Sequence, residues 1–427
     1  MNTCTASILA ANRSRIAARL PDRSVAIFPA AFPKLRNGDS DYPYCQNKNF
    51  VYLTGYEHPG AIFVMFRDGS TFDEVLFLEE ISERDAHWFG YRPAICDVKI
   101  SSGIQKCSPV SGFSGLIDRV LDRAETCYVD YQPVNLEAYL TPEIQLLHKI
   151  QSRYPHLRFQ TAANLMHEAR EQKQDWEIER ICRAIDITQK GIMAMLNSAR
   201  PGLFEYQLQA HLNFELQYEG CTVAFQPIIA AGPSATVLHY TTLNRRIESE
   251  HLILLDVGAE FEHYSADITR TIPASGRFSD LQRDIYAIVL GANKATIDAV
   301  RPGITFKELN AVTRTVLTDG MLRLNLIKDP DEINRYFTHG VSHMLGLDTH
   351  DVIALPGSPL KPGTVITVEP GLYLPDLGIG IRIEDDVLVT QAGHRNLSAA
   401  IPKEIDDIER LMRDRPVDLS DIRSISV

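Results

Sequence analysis

One short repeat restricts the folding of this chain more than any other feature. "RPGLFEYQLQA" at 200–210 and "RPGITFKELNA" at 301–311 share Arg-Pro-Gly, then place Leu208 and Leu309, and Ala210 and Ala311, at matching offsets. An amphipathic helical stretch precedes each copy, "DITQKGIMAMLNSA" and "DIYAIVLGANKATIDAV", and β-type sequence follows each after a further helix. Two such α+β halves, related by duplication, leave a cleft along their pseudo-twofold axis.

Acidic residues recur in the β-type sequence of both halves. "LILLDVGAEFEHYSADITRTI" at 252–272 reads as two strands about a tight turn between Phe261 and Glu262, which sets Asp256 directly opposite Asp267. Opposed Cβ atoms sit roughly 4.5–5.5 Å apart, and like charges there are destabilising. Downstream, "VITVEPGLYLPDLGIGIRIEDDVLV" folds round Pro375-Asp376 and sets Glu369 against Glu384. Alternation puts Ile379, Ile381 and Ile383 on one face, Arg382 and Glu384 on the other. Exposed charge on an edge strand would explain one such hairpin. Two of them, in a chain with an internal repeat, point to metal binding, because buried like charges must otherwise shift their pKa or pair with cations.

Between the two hairpins, "THGVSHMLGLDTHDV" carries His339, His343 and His350. It lacks the glutamate of an H-E-x-x-H helix, and Gly340 and Gly346 oppose a regular helix. The residues alone do not say which histidine binds. Oxygen donors with one imidazole suit Mn²⁺, Co²⁺, Fe²⁺ or catalytic Zn²⁺ rather than a thiolate zinc site.

A chain of 427 residues is long for one core. The N-terminal part reads as mixed α/β, with the short β-rich runs "SVAIF", "FVYLTG", "AIFVMF" and "EVLFLEE". Helical periodicity follows in "GFSGLIDRVLDRAE" and "LTPEIQLLHKIQSRY", with the apolar run "CYVDY" between them. A boundary near residue 172, where "REQKQDWEIERICRAIDITQKGIMAML" begins, divides the chain into domains 1–172 and 173–427, α+β overall.

The formal charge of -12 argues against nucleic acid or an anionic membrane as partner. No apolar run reaches the ~20 residues that span a bilayer. Cysteines 4, 45, 96, 107, 127, 182 and 221 are scattered, odd in number and never C-x-x-C, which suits reduced thiols in a cytoplasmic protein. The N-terminal "MNTCTASILAANRSRIAARLPDR" reads as a first amphipathic helix, with an arginine-bearing, acid-poor transit segment as the alternative.

The order "LLDVGAE", "YSADITRT", "HGVSHMLGLDTHDV", "TVEPGLY" and "GIRIEDDV" resembles the creatinase/aminopeptidase pita-bread superfamily, and within it the Xaa-Pro aminopeptidases. The resemblance extends to "VLHYTT" and "RPGLFEY", and into the N-terminal part through "RNGDSDYPYCQNKNFVYLTG" and "HWFGYRP". It implies an N-terminal creatinase-type domain and a C-terminal pita-bread catalytic domain. It also implies five metal ligands, Asp256, Asp267, His343, Glu369 and Glu384. They would hold two divalent ions, Mn²⁺ foremost with Co²⁺, Zn²⁺ or Fe²⁺ as alternatives, bridged by Asp267 and Glu384.

By the same resemblance Glu369 takes a proton from a metal-activated water, and His350 stabilises the oxyanion. His239 and His339 fall at the proline pocket, with Tyr373 and Arg382 as supporting groups. The implied substrates are peptides with proline second, and the implied assembly is a homo-oligomer, a dimer or a tetramer. Trp88 matches a residue that approaches a neighbouring site in oligomeric relatives; a core or surface aromatic is its plain reading.

Plain readings stand beside the others too. A histidine can be a satisfied core or surface group, Arg382 a structural salt bridge, and Tyr373 core packing. Prolidases use the same five ligands on Xaa-Pro dipeptides, but several carry a longer insertion where "PGLYLPDLGIG" is short. A catalytically silent peptide-binding member would have lost ligands, and here all five are present.

Overall fold

A computed structural model of the chain describes residues 3–131 and 141–414. Two compact units divide the chain, Met1–Ala169 and Arg170–Val427. The first opens on the helix Thr3–Ala17 and contains a six-stranded sheet. Its strand order is Cys107–Pro109, Thr71–Leu78, Ile62–Asp68, Ser24–Pro29, Thr126–Val129, Arg158–Thr161. Ser24–Pro29 runs antiparallel to Ile62–Asp68 and parallel to Thr126–Val129, and every one of its residues is buried. Ile27, Val64 and Phe77 pack with Ile117 and Leu121 of the helix Phe113–Leu121, and with Leu147 and Ile150 of the helix Pro142–Arg153. Each such side chain contributes about 1.5–3 kcal/mol on burial.

One expected β run is a helix. "FVYLTG" lies in the helix Lys48–Thr54, whose N-cap Asn47 accepts hydrogen bonds from the backbone of Asn49 and Phe50. The whole turn from Asn49 to Thr54 is buried, so β-prone residues here fill a core from a capped helix. Tertiary packing overrides their intrinsic preference.

In the second unit the repeat appears as two helix pairs, Asp175–Ser198 with Glu205–Tyr218 and Asp280–Ala299 with Phe306–Arg323. Each pair is joined through its Arg-Pro-Gly turn, where Gly202 and Gly303 take φ of 95° and 88°. That left-handed backbone is what a glycine supplies without strain. The second helix of each pair starts on a matching bond from its third residue: Gln207 accepts from the Phe204 N–H, and Glu308 from the Thr305 N–H, while only Thr305 returns a side-chain bond, its hydroxyl accepting from Glu308 N.

The first hairpin differs from its expected register. Leu252–Val257 pairs antiparallel with Ile268–Pro273 so that Asp256 faces Thr269, not Asp267. The chain reverses one residue later than expected, at Glu262-His263, both with positive φ (45° and 72°), between paired Phe261 and Tyr264. Two-residue hairpin turns of that kind usually advertise themselves with Asn or Gly, which are absent here. Asp267 remains on the face of Asp256 as its diagonal neighbour. The second hairpin holds its expected register. Val368 pairs with Asp385 and Gly371 with Arg382, so Glu369 and Glu384 are opposed between them. The reversal is a short helical turn, Pro375–Leu377.

The hairpins lock together side by side. The Glu384 N–H donates to Thr269 O at 3.0 Å, and the Thr271 hydroxyl donates to Arg382 O at 3.0 Å. Behind them the fully buried Arg270 donates to the carbonyls of Pro402, Ile401 and Glu384 and to Asp385 Oδ1. Burial alone would raise the Asp385 carboxyl, but the Arg270 and Lys403 charges override it and hold it at about 2. The histidine segment is not helical: 341–345 lies beside 365–369, with Thr367 N donating to His343 O and Glu369 N to Val341 O.

Cys45, Cys96, Cys107, Cys127, Cys182 and Cys221 are free thiols. Among the described residues, no helix is long and apolar enough to cross a membrane.

Candidate active site

All five candidate ligands line one cavity of about 260 Å³ in the second unit, together with His239, His339, His350 and Arg382. An adjoining cavity of about 360 Å³ shares His239, Asp256, Asp267 and His350 and adds Phe225, Ile228 and Thr241. Tyr373 lies just behind this lining. The sequence-derived residues therefore converge, although they come from four separate stretches of chain.

Hydrogen bonding fixes which atoms face inward. His343 Nδ1 lies 3.0 Å from Met344 O, and a carbonyl can only accept, so Nδ1 carries the proton. Its Nε2 lone pair then faces Asp267 Oδ2 and Glu369 Oε1, each at 3.5 Å. Ligand atoms of Asp267, His343 and Glu384 lie within 4.8 Å of one another. His339 follows the same logic: Nδ1 donates to Gly340 O at 2.8 Å, which leaves Nε2 to accept from the Tyr373 hydroxyl at 2.9 Å. Burial, chiefly, lowers the His339 pKa to about 4, so the ring is neutral at pH 7.

The electrostatics call for cations. Asp256, Asp267, Glu369 and Glu384 face one guanidinium, Arg382, an excess of three formal negative charges. Burial, then the neighbouring carboxylates, pushes Asp267 and Glu384 well above the ordinary carboxylate range. Glu369 is also raised, by burial first. Among the described residues, Asp256 Oδ1 is buried without a hydrogen-bond partner. Hard oxygen donors converging on one cavity with one imidazole fit divalent ions of the Mn²⁺, Co²⁺, Fe²⁺ and Zn²⁺ kind.

His350 and His343 rings stand 4.3 Å apart, edge to face. Burial and the charges of His343 and His239 lower the His350 pKa, which favours a neutral ring. His239 is exposed and lines both cavities.

Several residues that shape the site escaped the sequence reading. Thr269 receives Arg382 Nε at 3.1 Å and donates to Glu384 Oε2 at 2.6 Å. Correct register plus alternation would have found it, two residues after Asp267. Glu205, fully buried, accepts from Tyr240 Oη at 2.7 Å and from the backbone of Ala231 and Arg245, which secures the segment bearing His239. Lys173 donates to Asp351 Oδ2 at 2.9 Å beside His350, with Arg170 on the other carboxylate oxygen. No local pattern signals either contact, because each spans a long stretch of sequence.

Comparison with known proteins gives the family. The model for metallopeptidase family M24 matches residues 179–391, and that for the aminopeptidase P N-terminal domain matches residues 9–128. The Xaa-Pro aminopeptidase of Escherichia coli K12 is 32% identical over 425 residues, covering 94% of this chain and 96% of its own. The structure of Escherichia coli aminopeptidase P with the inhibitor Pro-Leu superposes with a TM-score of 0.87 at 31% identity, over 97% of this chain and 98% of that one. A zinc-substituted form of the E. coli enzyme, in complex with product, gives 0.88 at 30% identity over 98% and 100%.

Paired helices over two acid-bearing hairpins thus form a pita-bread unit of the M24 metallopeptidases, which bind divalent metals. The mixed α/β unit that precedes it narrows the class, and the chain belongs to the aminopeptidase P family.

Proposed function

We propose that the chain is an Xaa-Pro aminopeptidase, releasing the first residue of peptides whose second residue is proline. The observation that carries this reading is the convergence of Asp256, Asp267, His343, Glu369 and Glu384 on one cavity with three further histidines. Similarity to an enzyme solved with Pro-Leu supports the proline-containing substrate class.

The five residues would hold two divalent ions, Mn²⁺ foremost. When bound, the ions supply Lewis-acid polarisation and a water acidified towards neutral pH. Glu369 takes the proton of the attacking water on its carboxylate and returns it to the proline nitrogen. The neutral His350 donates its N–H to the carbonyl oxygen as negative charge develops there. His339, neutral and held by Tyr373, offers an uncharged wall for the proline ring beside His239. Arg382 orients Asp256 directly and Glu384 through Thr269.

A homo-oligomer, dimer or tetramer, in the cytoplasm belongs to the same proposal, and light scattering on the purified chain measures its size. Product analysis on a proline-containing tripeptide tests the activity. Metal analysis of Glu384→Ala tests the ligand set: metal content and turnover should fall together. Two ions per chain with near-normal turnover would overturn the dinuclear assignment.

A further inference from the structure

The first unit contains a cavity of about 310 Å³ lined by Arg23, Arg67, Arg119 and Arg123 against a single acid, Asp68. In a chain of net charge -12, four arginines lining one small cavity are a local inversion of sign. Their mutual repulsion is only partly relieved within the protein. Arg23 pairs with Glu125. Arg67 spends Nη2 on Ala17 O at 2.7 Å, while its Nε is buried without a partner among the described residues. The Arg119 and Arg123 side chains have no ionic or hydrogen-bond partner among the described residues.

A helix C-terminus favours cations, and Arg119 and Arg123 stand at the end of Phe113–Leu121. That accounts for two of the arginines. It does not account for Arg23, which precedes the strand Ser24–Pro29, or for Arg67 of the strand Ile62–Asp68, which come to the same cavity from elsewhere in the chain. Phe66, Leu116 and Val120 supply apolar lining, so the cavity combines a cationic part with a hydrophobic one. Its volume lies at the lower end of the ~300–1,000 Å³ typical of small-molecule sites.

We propose that this cavity binds a small phosphate-bearing ligand, with phosphate oxygens on the arginines and a flat organic body against Phe66, Leu116 and Val120. Guanidinium forks match phosphate oxygens in pairs, which a point charge cannot do. None of the residues assigned to peptide cleavage lines the cavity, so the inference stands apart from the proposed activity.

The test is equilibrium dialysis of the full-length, Mn²⁺-loaded chain against labelled ADP and labelled pyrophosphate. The wild type is compared with the double variant Arg119→Ala/Arg123→Ala, whose exposed side chains can be removed without opening a core. The wild type should bind ADP saturably, and more weakly as salt is raised. The double variant should bind at least ~10-fold more weakly while its cleavage of a proline tripeptide is unchanged. ADP binding tighter than pyrophosphate assigns a nucleotide-like ligand; equal binding assigns a phosphate group alone, and both support the site. Absence of saturable binding at millimolar ADP, or binding that the double variant retains in full, overturns it.

Discussion

Arg382 and Asp256 form a buried ion pair, Nη2 to Oδ2, and the same guanidinium spends its other nitrogens on Thr269 Oγ1 at 3.1 Å and Tyr373 Oη at 2.9 Å. Burial alone would lower the Arg382 pKa. The facing groups, Tyr373 and Asp256 foremost, more than offset it and hold the group charged. One side chain thereby orients two candidate ligands and, through Tyr373, His339. A lysine is a point charge and cannot span these acceptors. Arg382→Lys should therefore weaken metal affinity or turnover about 10–100-fold, the usual cost of losing a group that orients metal ligands. Metal titration with parallel kcat/KM measurements checks it, and unchanged values in both would remove Arg382 from this role.

His350 should separate chemistry from metal binding. Its ring packs on His343, yet no carboxylate oxygen of the site lies within ion-pair distance of it among the described residues. His350→Ala should keep its metal content and lose about 10²–10³-fold in turnover. Loss of metal alongside activity would instead make His350 a ligand or a support for His343.

Much of this site could be read before the fold was known, for an identifiable reason. Glu369 and Glu384 pair legibly because a short hairpin with strict alternation fixes both register and face. The partner of Asp256 lies two positions beyond Asp267, at Thr269, because Glu262 and His263 turn the chain without any glycine to mark the place. The helix Lys48–Thr54 was hidden by its β-prone side chains, whose burial only packing reveals. Thr269, Glu205 and Lys173 act through contacts to distant segments, which no local pattern encodes.

The raised carboxylates make stability depend on metal and pH together. Asp267 and Glu384 keep their protons above the ordinary carboxylate range in the metal-free fold, so there the folded state binds more protons than the unfolded chain. The slope of unfolding free energy with pH is then negative, and this contribution to stability falls as pH rises out of the ordinary carboxylate range. Ligation requires the deprotonated forms and relieves that penalty. Added Mn²⁺ should therefore raise Tm more at about pH 7.5 than at about pH 5, read by calorimetry of the EDTA-treated chain. An equal gain at both would contradict the account.

Lys173 is predicted to hold the His350 segment through Asp351. Both side chains are 1% exposed, and the pair closes at 2.9 Å. Burial would raise the Asp351 carboxyl, but the Lys173 and Arg170 charges override it and lower it. This stabilisation is present at neutral pH and lost as pH falls through the depressed value. Lys173→Met should cost about 3 kcal/mol, the lower end for breaking a buried pair from one side. Urea unfolding measures it, and a change within experimental scatter would show that Arg170 alone suffices.

The central claim is that the five-ligand site opens the first peptide bond before proline. Mass spectrometry of products from matched Xaa-Pro-Yaa, Xaa-Pro and Xaa-Ala-Yaa peptides, incubated with the Mn²⁺-loaded chain, tests it most directly. The chain from Leu374 to Gly380 is a strand end and a short helical turn, which supplies little material to wall off a free proline carboxylate. Release of the first residue from Xaa-Pro-Yaa is expected, with a higher kcat/KM than for Xaa-Pro and at least ~10-fold above Xaa-Ala-Yaa. Preference for the dipeptide would turn the assignment to prolidase, and indifference to proline would contradict the claim outright.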